Sequence, residues 1–184
     1  MTKTPTKTNA ARYLDSLGIS YEIREYEVDP EEFSALIVAE KIGLPAEQVF
    51  KTLLCSTHER EHVFAVVPGD AELDFKKLAA AAGTRKTEMV SLKDVQPLTG
   101  YVRGGVTVIG AKKDFPVFVD ETVELFDVIS VSAGMRGVQV VLGPADYLRA
   151  SKATVADLTK QRSEHRAQST GEGFGPAAHR EKSG

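Results

Sequence analysis

A chain of 184 residues with 42% hydrophobic and 27% charged content has the size and balance of one ordinary globular domain with its own core. The single cysteine excludes an intramolecular disulfide and a cysteine-based zinc site, and no run approaches the ~18 apolar residues of a membrane span. The net charge of −3 does not mark a binder of DNA, so any polyanion site on the fold has to be a local basic patch. With no apolar signal core at the N-terminus, these features point to the cytoplasm.

Helical spacing starts at Asn9 or Ala10, puts Ala10, Tyr13, Leu14 and Leu17 on one side, and stops at Gly18. Residues 20–28, SYEIREYEV, alternate as a strand. Residues 33–43 form a second helical pattern, with Ser34 as cap and Gly43 as terminator. A strand at 49–56, the polar turn THERE and a strand at 62–67 make a hairpin. Residues 73–83 read as a helix capped by Asp74. The second half is richer in strands: KTEMV and VTVIG look extended, followed by strands at 115–120, 127–132 and 138–143. PADYLRAS then begins a helix with proline in its first turn. Beyond Lys160 the chain is polar and glycine-containing, and 161–184 is expected to be a disordered tail. Hairpins mixed with helices predict an α+β domain with a mixed, partly curled sheet, not a doubly wound one.

The strand at 49–56 contains an anomaly. Val49, Lys51, Leu53 and Cys55 share one face, and Phe50, Thr52 and Leu54 share the other. Both faces are largely apolar, so Lys51 has to snorkel to water, pair with an acid, or wait for an anion. Cys55 cannot be activated by it directly, because four strand residues span roughly 13 Å. That distance favours a buried structural thiol.

Common catalytic kits are missing: there is no phosphate-binding glycine loop and no nucleophile elbow. His58 and His62 lie in the hairpin, His165 and His179 in the tail, and no further ligand cluster accompanies them. Two glycine-rich stretches remain, TGYVRGG (99–105) and SAGMRGVQ (132–139). They are either two tight turns or two sets of backbone amides aimed at a carbonyl oxygen or phosphate.

Taken in order, VFKTLL, TGYVRGGVTVIGAKK, ISVSAGMRGVQVVLGPADYL and ATVADLT resemble the YbaK/EbsC family of freestanding aminoacyl-tRNA deacylases. That family is related to the editing domain inserted in bacterial prolyl-tRNA synthetases. The resemblance implies an editing domain over 1–160, a mixed, partly barrel-like sheet flanked by helices, and no cofactor or metal. It implies removal of cysteine from proline tRNA, with cysteinyl-tRNA(Cys) as a second substrate. The ligand is then the 3′ acceptor end of an aminoacyl-tRNA, and prolyl-tRNA synthetase is a candidate partner.

By position, the resemblance assigns catalytic roles to Lys51, Gly104 and Ser132. It assigns substrate contacts to Tyr26, Phe33, Thr52, Gly105, Gly134 and Arg136. Lys51 would anchor the terminal phosphate or ribose, and amides near Gly104 and Gly105 would hold the oxyanion. Ser132 would orient the amine or hydroxyls, and Tyr26 with Phe33 would line the pocket or stack on adenine. The chain departs from the family at Met135, Ala133 and Gln139, around the second glycine turn. The substrate's own thiol is the expected nucleophile. Two rival readings stay open: an alanyl-tRNA(Pro) deacylase that uses water, and a tRNA- or nucleotide-binding module without turnover.

Overall fold

The computed structural model describes residues 7–32 and 34–161. Its helices begin and end where local chemistry dictates. Helix α1 (Asn9–Ser16) starts at Thr8, whose hydroxyl accepts from the Ala11 N–H. Helix α2 (Ala35–Ile42) is capped by the Ser34 hydroxyl and closed by Gly43 at φ +75°. Helix α3 (Phe75–Ala82) is capped by Asp74, which accepts from the N–H groups of Lys76 and Lys77. These side-chain acceptors satisfy amides that lack intrahelical partners.

Two sheets follow from the strand pattern. Strand β1 (Glu22–Glu25) pairs with β7 (Val138–Leu142), which pairs with β6 (Ile129–Ser132), all antiparallel. The larger sheet runs β4–β2–β3–β5–β8. In it β2 (Phe50–Thr57) forms the expected hairpin with β3 (His62–Pro68) and also pairs antiparallel with β4 (Thr87–Met89). Strand β5 (Val117–Asp120) lies parallel to both β3 and β8 (Thr154–Ala156). A parallel bridge between Val49 and Ser130 joins the two sheets at the start of β2. The result is two sheets, one antiparallel and one mixed, linked at that bridge and not closed into a barrel among the described residues.

Both faces of the β2–β3 hairpin are buried, which is why its sequence does not alternate. Phe50, Leu54, Phe64 and Val66 join the main core with Leu14, Ile129, Val131 and Val140. Cys55, Val63, Ala65 and Val67 face the other way, against Leu78 of α3, Phe118 and Leu158.

Some expectations shift. Strand β1 is shorter than 20–28, because only four of its residues find a partner on β7. VTVIG is deeply buried from Val106 to Ile109, yet it forms no ladder. Helix α4 (Leu92–Thr99) was not expected, since Pro97 interrupts its pattern. Burial of Val95 and Thr99 holds it in place, and Gly100 at φ +78° ends it. Helix α5 (Pro144–Ser151) follows β7 as expected and leads into β8, which carries too few apolar residues to announce itself. Of the expected tail, only Gln161 lies within the described residues. No described helix is long and apolar enough to cross a membrane.

Candidate active site

A cavity of about 670 Å³ opens where the two sheets meet. Its lining comes from β2, α2 and α4 and from the end of β6. Lys51, Thr52, Gly104 and Ser132 all line it. Lys51 and Ser132, far apart in the chain, therefore meet because the Val49–Ser130 bridge sets the start of β2 beside β6.

Lys51 is half-buried and pairs in register with Val67. Its ammonium approaches the Gly69 carbonyl at 3.5 Å. Burial pushes its pKa below the usual lysine value, while the charges of Glu72 and Asp70 pull it back up. Lys51 is thus a partly desolvated cation at the cavity wall, in the setting where an anion binds with least competition from water. Gly69 was not singled out from the sequence. A Cβ there would come within 2.8 Å of the Ala35 Cβ and 2.9 Å of the Val49 carbonyl, so only glycine lets this segment pass.

The two glycine stretches pack on each other. The Arg136 Nε donates to the Arg103 carbonyl at 2.6 Å. A Cβ on Gly105 would lie 3.2 Å from the Met135 Cα. Gly105, Gly134 and Arg136 therefore shape the loop from behind and do not line the cavity. The Gly105 N–H donates to the Val102 carbonyl at 2.9 Å, which removes it as an oxyanion donor. Gly104, at φ +83°, is the loop residue of the pair that reaches the cavity.

Ser132 is buried at the strand end, where its Oγ accepts from the Gly134 N–H at 3.2 Å. Its hydroxyl proton stays available to donate. Directly across the ladder, Gln139 also lines the cavity, with its Oε1 accepting from the Ser130 hydroxyl at 2.8 Å. Arg103, Glu72 and Lys160 complete the charged part of the lining. Arg103 comes from the TGYVRGG stretch, whereas nothing in the local sequence marks Glu72 or Lys160, which tertiary packing brings in.

Tyr26 does not line the cavity. Its N–H donates to the Gly137 carbonyl at 2.9 Å, and its ring packs with Ala39, Ile42 and Val49. Phe33 lies outside the described residues, while its neighbours Ser34, Ala35 and Leu36 line the cavity.

Cys55 is fully buried, and burial pushes its thiol pKa up to about 12. It is a packing residue, as strand geometry predicted. His58 and His62 lie with Arg60, Lys86 and Glu88 around a separate cleft at the far end of the hairpin. Among the described residues, neither histidine nor cysteine lines the main cavity, and no three His, Cys, Asp or Glu side chains gather as a metal site.

Comparison with known proteins adds a consistent pattern. Residues 29–150 match the family model of the aminoacyl-tRNA editing domain. The chain is 41% identical over 157 residues to EbsC of Enterococcus faecalis, covering 85% of this chain and 96% of that protein. EbsC is provisionally named a Cys-tRNA(Pro)/Cys-tRNA(Cys) deacylase. This chain is also 29% identical over 127 residues to ProXp-y of Escherichia coli, a multifunctional Ser/Thr-tRNA deacylase, covering 67% of this chain and 76% of that one. Among solved structures, one described provisionally as a trans-editing enzyme for prolyl-tRNA synthetase matches at a TM-score of 0.73 and 22% identity. That match covers 86% of this chain and 99% of the other, and it supports the fold.

Proposed function

The chain belongs to the aminoacyl-tRNA editing-domain family, and on that premise we propose that it is a trans-editing deacylase that removes cysteine from mischarged proline tRNA. The observation that carries this reading is the convergence of Lys51, Thr52, Gly104 and Ser132 on one cavity that has no histidine or cysteine on its described walls. A site so built is suited to hold an activated ester whose substrate brings its own nucleophile.

Lys51 holds the phosphate or ribose of the terminal nucleotide as a point charge. The N–H of Gly104 faces the developing oxyanion. Ser132, its oxygen already accepting from Gly134, donates its proton to the substrate. The cysteinyl thiol, a few per cent ionised at neutral pH, attacks its own ester carbonyl. A sulfur–carbon bond forms and the ester carbon–oxygen bond breaks. The thiol proton ends on the ribose hydroxyl, and the released thiolactone opens in water. Holding thiol and carbonyl together supplies several kcal/mol through orientation. Prolyl-tRNA synthetase is the partner this reading proposes as the source of tRNA selectivity.

A test sets the purified full chain against cysteinyl-, seryl-, alanyl- and prolyl-tRNA(Pro) in parallel. Fast release of cysteine alone supports the thiol route. Equal rates for the cysteinyl and seryl esters reject it in favour of water, with Glu72 as the carboxylate on the cavity wall. No release from any of them rejects the deacylase reading.

A further inference from the structure

We propose that Lys160 is a second phosphate-holding cation at the cavity mouth, and that Glu72 is the counter-ion it exchanges for the nucleic-acid backbone. The proposal rests on the reading of the cavity as a tRNA-end site and names how the strand next to that end is held.

The segment that carries Lys160 is tied down at every residue. Lys77 Nζ donates to both Asp157 carboxylate oxygens at 2.9 Å and to the Thr159 carbonyl at 2.7 Å. The Leu158 side chain is fully buried, and its N–H donates to the buried Asp120 carboxylate at 2.9 Å. The Asp74 N–H donates to the Leu158 carbonyl at 2.7 Å, and the Lys160 N–H to the Glu72 carbonyl at 2.9 Å. A bridge between Leu73 and Thr159 completes the strap. Its effect is to fix the Lys160 backbone beside the cavity while leaving the side chain 56% exposed.

The charges then form one cluster. Lys160 Nζ lies 3.3 Å from a Glu72 carboxylate oxygen. Glu72 is also the foremost of the two acids whose charge acts on Lys51. Lys160 is thus paired with Glu72, and Lys51 lines the same cavity within reach of that carboxylate's charge. A phosphodiester carries the same charge as that carboxylate and offers acceptor oxygens in its place. When the RNA enters, its phosphate takes over the ammonium groups and Glu72, 78% exposed, turns to water. The opposite signs of Lys160 and Glu72 make the idea separable from a structural role.

The experiment measures binding of a minihelix RNA with a CCA 3′ end to the full-length chain across a salt series. Alongside it runs turnover of cysteinyl-tRNA(Pro) and of cysteinyl-adenosine, which has no phosphate. Lys160→Ala should weaken minihelix binding about threefold and reduce the log–log salt slope by about 0.7, the value for one single-strand phosphate. KM for the tRNA ester rises in step, kcat holds, and cysteinyl-adenosine is unaffected. Lys160→Arg restores binding, and Glu72→Gln tightens it. Wild-type affinity and slope in Lys160→Ala overturn the proposal, as does an equal loss on cysteinyl-adenosine. If wild type binds the minihelix with the Lys160-dependent slope but turns over neither ester, the inference stands and the deacylase reading fails.

Discussion

Lys51 and Cys55 sit on one face of one strand, four residues apart, and their environments have nothing in common. Lys51 stands at the start of β2, beside the bridge that links the two sheets, half-buried and on the cavity wall. Cys55 lies under α3 and β5, sealed from water, with its thiol pKa raised to about 12. Burial acts on both, disfavouring the charged form of each. It keeps the thiol neutral and inert, whereas at Lys51 the charges of Glu72 and Asp70 work against it. A chemically reactive residue type is therefore a poor guide to the site here. Position along the strand, relative to the gap between the sheets, decides.

The sharpest way to break this contrast is Lys51→Ala. It should cut kcat/KM for deacylation by about a hundredfold, as loss of one key electrostatic group does, with the melting temperature unchanged or higher. Linkage gives the sign of the stability effect. The fold lowers the Lys51 pKa, so the unfolded chain binds more protons between that lowered value and 10.5. Stability should rise with pH across that window, and below it the buried charge is a standing cost. Thermal melts should therefore place Lys51→Met above wild type at pH 7, with the gap narrowing near pH 10. Activity should fall as pH climbs through the lowered pKa, and a flat alkaline profile would count against the anchor.

Next in size is Gly69→Ala. The added carbon meets Ala35 and Val49 at under 3 Å, and overpacking of this kind costs about 1–3 kcal/mol. Denaturant melts would register it, and activity should drop with it because the Gly69 carbonyl faces Lys51. Ser132→Ala should lower kcat/KM about three- to tenfold, the loss of one neutral hydrogen bond, with a stability loss of about 1 kcal/mol from the Gly134 N–H that loses its acceptor. Wild-type kinetics would remove Ser132 from the chemistry. Smallest in function is Cys55→Ala, with unchanged turnover and a stability loss of about 1–2 kcal/mol from the small cavity it leaves. In native protein at pH 8, a thiol reagent should leave Cys55 untouched, and fast labelling would contradict its burial.

Much of this fold was legible locally. Ser34, Asp74 and Gly43 act as helix caps because capping is a short-range matter of hydroxyl, carboxylate and positive φ. The β2–β3 hairpin was equally plain. Helix α4 was not, since Pro97 breaks the pattern that packing of Val95 restores. The buried 106–109 segment reads as a strand but finds no partner edge. For the site, the resemblance supplied Lys51, Thr52, Gly104 and Ser132, and the fold brings these four to one cavity. Tyr26 stands elsewhere because its N–H is held by the Gly137 carbonyl and its side chain packs with Ala39, Ile42 and Val49. Glu72 and Lys160 were beyond local reading, since each owes its place to contacts between distant segments.

The most direct measurement is single-turnover release of labelled cysteine from cysteinyl-tRNA(Pro) by wild type and Lys51→Ala at equal concentration, both checked for folding. The account predicts rapid release by wild type and loss of about two orders of magnitude in the variant, as for removal of one preorganised charge. Equal release by the two proteins would contradict it.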